Sequence, residues 1–260
     1  MLARLEIPRS SAIPSPALRS IRCAGVLATS LVLQFSSILA AQVPSPPSPP
    51  RFMVVLDAAH GGDDSGGKLS GGQLEKAFNL ALSVRLRSLL AARGIQVVTT
   101  RESDATVAPV RRAEFANRAI AQACLSLHAS ESGTGVHLFV SSLSPAQPSR
   151  FVPWRTAQAS WITRSLALAG DLNSALLHAN FSVTLGRTSL PTVDSMACPA
   201  VAVEVAPEAQ QSPVPGQPST AGLDDPAYQA RVAEALAAAL LEWRSDASRT
   251  DSGRSEDRNP

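Results

Sequence analysis

Over residues 51–244 short apolar runs alternate with longer stretches in which apolar positions recur every three or four residues. The first run, Met53-Val54-Val55-Leu56, is rich in β-branched residues and passes into Asp57, His60 and two glycines, which predicts a buried strand ending in a polar loop. From Lys76 to Arg93 the residues Phe78, Leu82, Leu86, Leu89 and Leu90 form one helical stripe, closed by Gly94 as a C-terminal cap, and a strand follows over 95–100. Pro109 opens a second helix with Ala113, Ala116 and Ile120 expected to face inward, ahead of the apolar strand Cys124-Leu-Ser-Leu-His128. Another strand covers 136–141 and a loop 142–153, after which Trp161, Ser165, Leu168, Leu172 and Leu176 mark a long helix. The run 199–205 reads as a buried strand holding one carboxylate, Glu204. A proline- and glutamine-rich loop then leads to a last helix, capped by Asp225 and Pro226 and carrying Tyr228, Val232, Leu236 and Leu240.

Strands alternating with helices predict one α/β domain, with a mostly parallel or mixed central sheet covered by helices on both faces. Its expected limits are 51–244. The preceding segment carries arginines and then an apolar run from Ala24 to Ala41 that ends in small residues, the pattern of a secretory signal peptide over 1–41. An uncleaved anchor is the alternative, since the run approaches spanning length. No membrane span is expected in the mature protein, which would be exported to the periplasm or the extracellular space. Residues 42–50 form a stiff proline-rich linker, and the polar stretch 245–260 is expected to be a disordered tail.

Charge narrows the function classes. The 23 basic and 21 acidic residues give +2, but Arg4, Arg9, Arg19, Arg22 and Glu6 belong to the leader; without them the body holds 19 basic against 20 acidic residues. A nearly neutral body with 4% aromatics offers no electrostatic footprint for nucleic acid. Two cysteines remain, Cys124 and Cys198, each at the start of a predicted strand. They could pair if those strands are neighbours; two buried free thiols are the expectation.

The glycine-rich loop contains competing short matches. Gly62 to Lys68 nearly spells a phosphate-binding loop, but Leu69 stands where a Mg2+-binding hydroxyl is required and no helix follows at once. Leu69-Ser-Gly-Gly-Gln73 spells the transporter-ATPase signature, contiguous with the first match rather than distant from it. Asp64-Ser-Gly-Gly67 has the form of a serine-protease nucleophile segment in a chain too helical for that fold.

A dispersed set is chemically more coherent: His60 after one strand, Glu75 at a helix start, His128 ending a second strand and Glu204 in a third. C-terminal strand ends share one edge of an open α/β sheet, so these residues can converge. Two imidazoles and a carboxylate suit a catalytic Zn2+, which lowers the pKa of a water from about 15.7 toward about 7. A second carboxylate is then wanted as general base and proton shuttle, and Glu204 is the candidate.

On these residues the chain resembles the zinc-dependent N-acetylmuramoyl-L-alanine amidases of the amidase 3 type. Asp57-Ala-Ala-His60-Gly-Gly62 is similar to the family's opening motif, and Glu75-Lys76 to its Glu-Lys at the next helix start. Thr100-Arg101 with Asp104, Arg112 with Asn117, Ser126-Leu-His128-Ala129 and Pro199-Ala-Val-Ala-Val-Glu204 match further family segments in the same order, covering 52–243. The resemblance implies zinc on His60, Glu75 and His128, Glu204 as acid/base, and hydrolysis of the amide joining N-acetylmuramic acid to L-alanine in peptidoglycan. Two departures stand out. Ala59 replaces a glycine, so the backbone there must avoid positive φ. Val205-Ala-Pro-Glu-Ala-Gln210 replaces the family's Gly-Phe-Leu-Ser-Asn, which leaves open a non-catalytic wall- or partner-binding descendant, or a zinc amidohydrolase with another amide substrate.

Five further residues carry lesser expectations. His178 is expected at the surface, while His137, on the strand after His128, is a candidate for lining the cleft. Asp57 would either orient His60 or cap the turn, and Arg101 and Arg112 are expected in structural ion pairs. An activating partner protein is not legible in the sequence.

Overall fold

The computed structural model describes residues 51–146, 153–210 and 219–256, with the expected leader and proline-rich linker outside this range. Six strands, β1 (Met53–Ala58), β2 (Gln96–Thr99), β3 (Ala123–Ala129), β4 (Val136–Ser141), β5 (Val183–Thr188) and β6 (Ala200–Val205), form one sheet in the order β2-β1-β3-β6-β4-β5. β2, β1, β3 and β6 run parallel, β4 runs antiparallel to β6, and β5 lies parallel to β4. The sheet is therefore mixed, as the alternation of elements predicts. Short strands β7 (Glu208–Gln210) and β8 (Ser219–Ala221) pair in a separate hairpin.

The period of two in the strands sorts the core. Val54 and Leu56, Leu125 and Leu127, Val201, Val203 and Val205, and Val136 and Leu138 face helices α1 (Glu75–Ala92), α3 (Ile162–His178) and α5 (Pro226–Glu256). At roughly 1.5–3 kcal/mol for each fully buried aliphatic side chain, this face supplies most of the hydrophobic stabilisation. Val55, Cys124, Ala200 and Ala202 point the other way, to helix α2 (Pro109–Ala119) and the single turn α4 (Pro191–Asp194). Small residues make that layer thin.

Several expectations are corrected. Cys124 and Cys198 form a disulfide rather than two free thiols. The reason is register: Cys124 lies opposite Ala200 across β3 and β6, and its amide bonds Pro199 O at 2.8 Å, so Cys198 sits beside it. Ile120 faces solvent, 79% exposed, because it is the left-handed residue that ends α2 (φ 50°). Of the expected tail over 245–260, the part up to Glu256 continues α5, and 257–260 lie outside the described residues. That part lacks glycine and proline until Gly253, and Ser245 Oγ donates to Leu241 O one turn back at 3.0 Å. Part of the expected loop 142–153 lies outside the described residues; just beyond it, a 3-10 segment over Trp154–Ser160 precedes α3.

The mixed topology has a local consequence. Because β4 is antiparallel, it begins at the edge where β1, β3 and β6 end, so its first residues join theirs.

Candidate metal centre

β1 ends at Ala58 and the chain turns sharply, with His60 at φ 61°, Gly61 at φ 130° and Gly62 at φ 60°. A non-glycine residue in the left-handed region is strained, and here surrounding groups hold it. Ala59 is outside that region, and the positive φ falls on the histidine itself. Arg112 donates to Ala58 O at 2.6 Å and to His60 O at 2.5 Å, while Arg101 donates to Ala58 O at 2.8 Å and Ala59 O at 3.1 Å. Lys76 Nζ takes Gly62 O at 2.7 Å and pairs with Asp104 at 2.8 Å, whose other oxygen accepts the Gly62 amide at 2.7 Å. Three cations thus consume the carbonyls of the turn that aims His60.

Through its side chain Asp57 bonds the side chains of Thr100, Arg112 and Ser126 rather than His60 or the backbone of the turn, so neither of its expected roles holds. Its carboxylate is 1% exposed and accepts from Thr100 Oγ1 (2.7 Å), Arg112 (2.9 Å) and Ser126 Oγ (2.8 Å). Arg112 is the expected structural ion-pair member, whereas Arg101 bonds carbonyls, including Lys76 O at 2.6 Å. The partner of His60 is Asp64, missed in the sequence: Nδ1 donates to its Oδ2 at 2.8 Å. An acidic residue four positions after a strand-end histidine was the available signal.

Glu75, the first residue of α1, is 7% exposed and carries its charge where the helix dipole favours it. Its Oε1 lies 3.2 Å from His60 Nε2 and 3.1 Å from His128 Nδ1, and its Oε2 accepts the Gly67 amide at 2.8 Å. Burial pushes this carboxyl up, but the hydrogen bonds from His128, His60 and Gly67 outweigh it and hold the group far below the usual carboxylate range. The His60 imidazole is raised, chiefly by its bond to Glu75, with burial opposing and Asp64 adding. Gly66 is required by close approach: a Cβ there would stand 2.6 Å from Glu75 Oε2 and 2.7 Å from His60 Cδ2.

One potential ligand atom from each of His60, Glu75 and His128 falls within a set whose members all lie within 4.8 Å of one another. Two imidazole nitrogens facing a single carboxylate oxygen are a donor set that fits a divalent cation. The Asp64 bond would fix the tautomer of His60 so that Nε2 faces the ion. Glu204 lies beside this set, in register with His128 across β3 and β6 and with His137 across β6 and β4. Paired residues on adjacent strands share a face, so His128, Glu204 and His137 form one row. His137 Nδ1 lies 2.9 Å from Glu204 Oε1, which puts the candidate cleft residue in contact with the candidate acid/base. His178 is remote and exposed, bonded to Ser174 O at 2.7 Å on its own helix.

The segment after Glu204 is built into the fold. Ala206 exchanges hydrogen bonds with neighbours, giving its amide to Gly135 O at 2.8 Å and its carbonyl to the Tyr228 hydroxyl at 2.5 Å. Glu208 accepts from the amide and hydroxyl of Ser182 and starts the β7–β8 hairpin.

A family model described as N-acetylmuramoyl-L-alanine amidase matches residues 54–242. The chain is 38% identical over 79 residues to the N-acetylmuramoyl-L-alanine amidase AmiA of Escherichia coli, a stretch covering 30% of this chain and 27% of AmiA. It is 44% identical over 57 residues to the germination-specific N-acetylmuramoyl-L-alanine amidase of Bacillus subtilis, covering 22% and 24% respectively. The chain thus spans about a quarter of the curated relatives it matches. Among solved structures, the catalytic domain of the amidase CwlV from Bacillus (Paenibacillus) polymyxa superposes with a TM-score of 0.57 at 23% identity, over 75% of this chain and 98% of that one. Ami1 of Mycobacterium smegmatis gives 0.59 at 19% identity, over 75% and 97%. At these identities the likeness shows the fold.

Proposed function

The chain belongs to the N-acetylmuramoyl-L-alanine amidase family, and on that premise we propose that it is a zinc-dependent amidase hydrolysing the bond between N-acetylmuramic acid and L-alanine in peptidoglycan. The observation that carries this reading is the convergence of His60, Glu75 and His128 into a set within 4.8 Å, with Glu204 in register beside it. Zn2+ held by those three residues supplies Lewis acidity and brings the pKa of a water to about 7.

The residues of the chain do the rest. Asp64 holds the His60 ring, and the Gly67 amide holds the Glu75 carboxylate, so the donors are set before substrate arrives. Glu204 takes the proton of the attacking water as the C–O bond forms. It then delivers that proton to the nitrogen of L-alanine as the C–N bond breaks, leaving the carboxylic acid of muramic acid, which keeps the water's second proton until it ionises, and a free α-amine. The leader over 1–41 would export the protein to the periplasm or cell exterior, where that substrate lies. Among the described residues no helix is long and apolar enough to cross a membrane.

The alternative, a wall-binding protein without turnover, draws on the segment 205–210, which is committed to the Gly135 and Ser182 contacts and the β7–β8 hairpin. One experiment separates the two. The purified chain is assayed for zinc and incubated with peptidoglycan while new L-alanine amino termini are counted. The amidase reading expects about one zinc per chain, as a three-residue catalytic site takes, and new L-alanine ends. His60→Ala should lose both, and Glu204→Gln the activity alone. Zinc-loaded protein that releases nothing from several wall types contradicts it.

A further inference from the structure

His137 has no part in the donor set, yet its surroundings are those of a fixed group. The ring is 15% exposed in its side chain, packs edge to face on Phe139 at 6.3 Å between centroids, and is roofed by Gly133. A Cβ at Gly133, where φ is 88°, would stand 2.3 Å from His137 Cε1 and 2.8 Å from Nε2. Only glycine lets the 130–135 loop close over the imidazole. The ring is thereby aimed at Glu204, and Nδ1 meets Oε1 at 2.9 Å.

The Glu204 side chain is 32% exposed and stands on the next-to-last residue of β6. A carboxylate that must collect a proton on one side and deliver it on the other works best from one orientation. We infer that His137 is a positioning residue for Glu204: its Nδ1–H donates to Oε1, which turns the carboxylate and leaves Oε2 to carry the reacting proton. The antiparallel direction of β4 makes this contact available, because it brings the second residue of β4 opposite the second-last residue of β6. The inference rests on the amidase reading and assigns a role to a residue outside the four-residue site.

The test compares wild type with His137→Ala, His137→Gln and His137→Asn in the full chain, measuring kcat and KM on peptidoglycan fragments, zinc content and the urea midpoint. An Asn amide places a donor near the position of Nδ1, whereas Gln keeps the volume but moves the donor to the position of Nε2. Misplacement of a reacting group by an ångström costs about 100-fold in rate, so Ala and Gln should lower kcat by about 10–100-fold with KM and zinc content unchanged. His137→Asn should lie nearer to wild type than to either. Wild-type kcat in His137→Ala or His137→Gln overturns the inference, as does equal loss in Asn and Gln, or a loss that follows zinc content or stability. A wild-type chain that binds zinc but hydrolyses nothing overturns the amidase reading and this inference with it; an active wild type with unimpaired His137 variants overturns the inference alone.

Discussion

Arg112→Met tests whether the strand-end turn depends on the cations beneath it. The Arg112 side chain is 6% exposed and its partner Asp57 1%, and the guanidinium serves four acceptors: Val107 O, Asp57 Oδ1, Ala58 O and His60 O. Methionine fills much of the same volume, so the loss is electrostatic. The Asp57 carboxylate keeps Thr100 and Ser126 but loses its compensating charge, and His60 O loses its donor. Removing one partner of a buried ion pair costs about 3–5 kcal/mol. At about 2–4 °C per kcal/mol for a domain of this size, Tm should fall by about 6–20 °C. Equilibrium urea unfolding measures the effect, read as a shift in midpoint at constant slope. The double variant Arg112→Met/Asp57→Asn should recover much of the loss, since a neutral amide replaces the stranded carboxylate. A single variant within about 1 kcal/mol of wild type, well below that buried-pair range, or a double variant no better than the single, would mean that the Arg112–Asp57 pair does not hold the turn.

Other perturbations follow from the same geometry. Asp64→Ala removes the bond that orients His60 and should weaken zinc affinity by about 10–100-fold, read by competition with a chelator; unchanged affinity would count against the assigned tautomer. Cys198→Ser opens a cross-link between residues 74 apart in sequence, and should cost about 4 kcal/mol by the chain-entropy estimate, measured by urea unfolding with and without reductant. Leu236→Ala, fully buried on α5, should cost about 2–5 kcal/mol. Leu177→Ala, 52% exposed on α3, should stay within about 0.5 kcal/mol.

The sequence was most legible where a periodic pattern faces a thick core. The stripe Tyr228, Val232, Leu236 and Leu240 is buried throughout, and the run 199–205, read as a buried strand, matches β6. β5 was missed because it is an edge strand: Val183–Thr188 buries no residue, so the apolar run that signals a strand is absent. The direction of β4 was not legible either, since Val136–Ser141 reads the same for either orientation. His60, Glu75, His128 and Glu204 were singled out as candidates through their order along the chain, and the fold brings them together. The network that fixes them was harder to read. Asp57 was expected either to orient His60 or to cap the turn, but the strand period turns it toward Arg112 and Ser126 and leaves His60 to Asp64.

X-ray absorption at the zinc edge would read the proposed metal centre itself. The zinc-loaded chain should show a shell of nitrogen and oxygen at about 2.0–2.2 Å with the multiple scattering of two imidazoles and no sulfur, and His128→Ala should remove one imidazole contribution. A spectrum without histidine scattering, or one that His60→Ala and His128→Ala both leave unchanged, would contradict it.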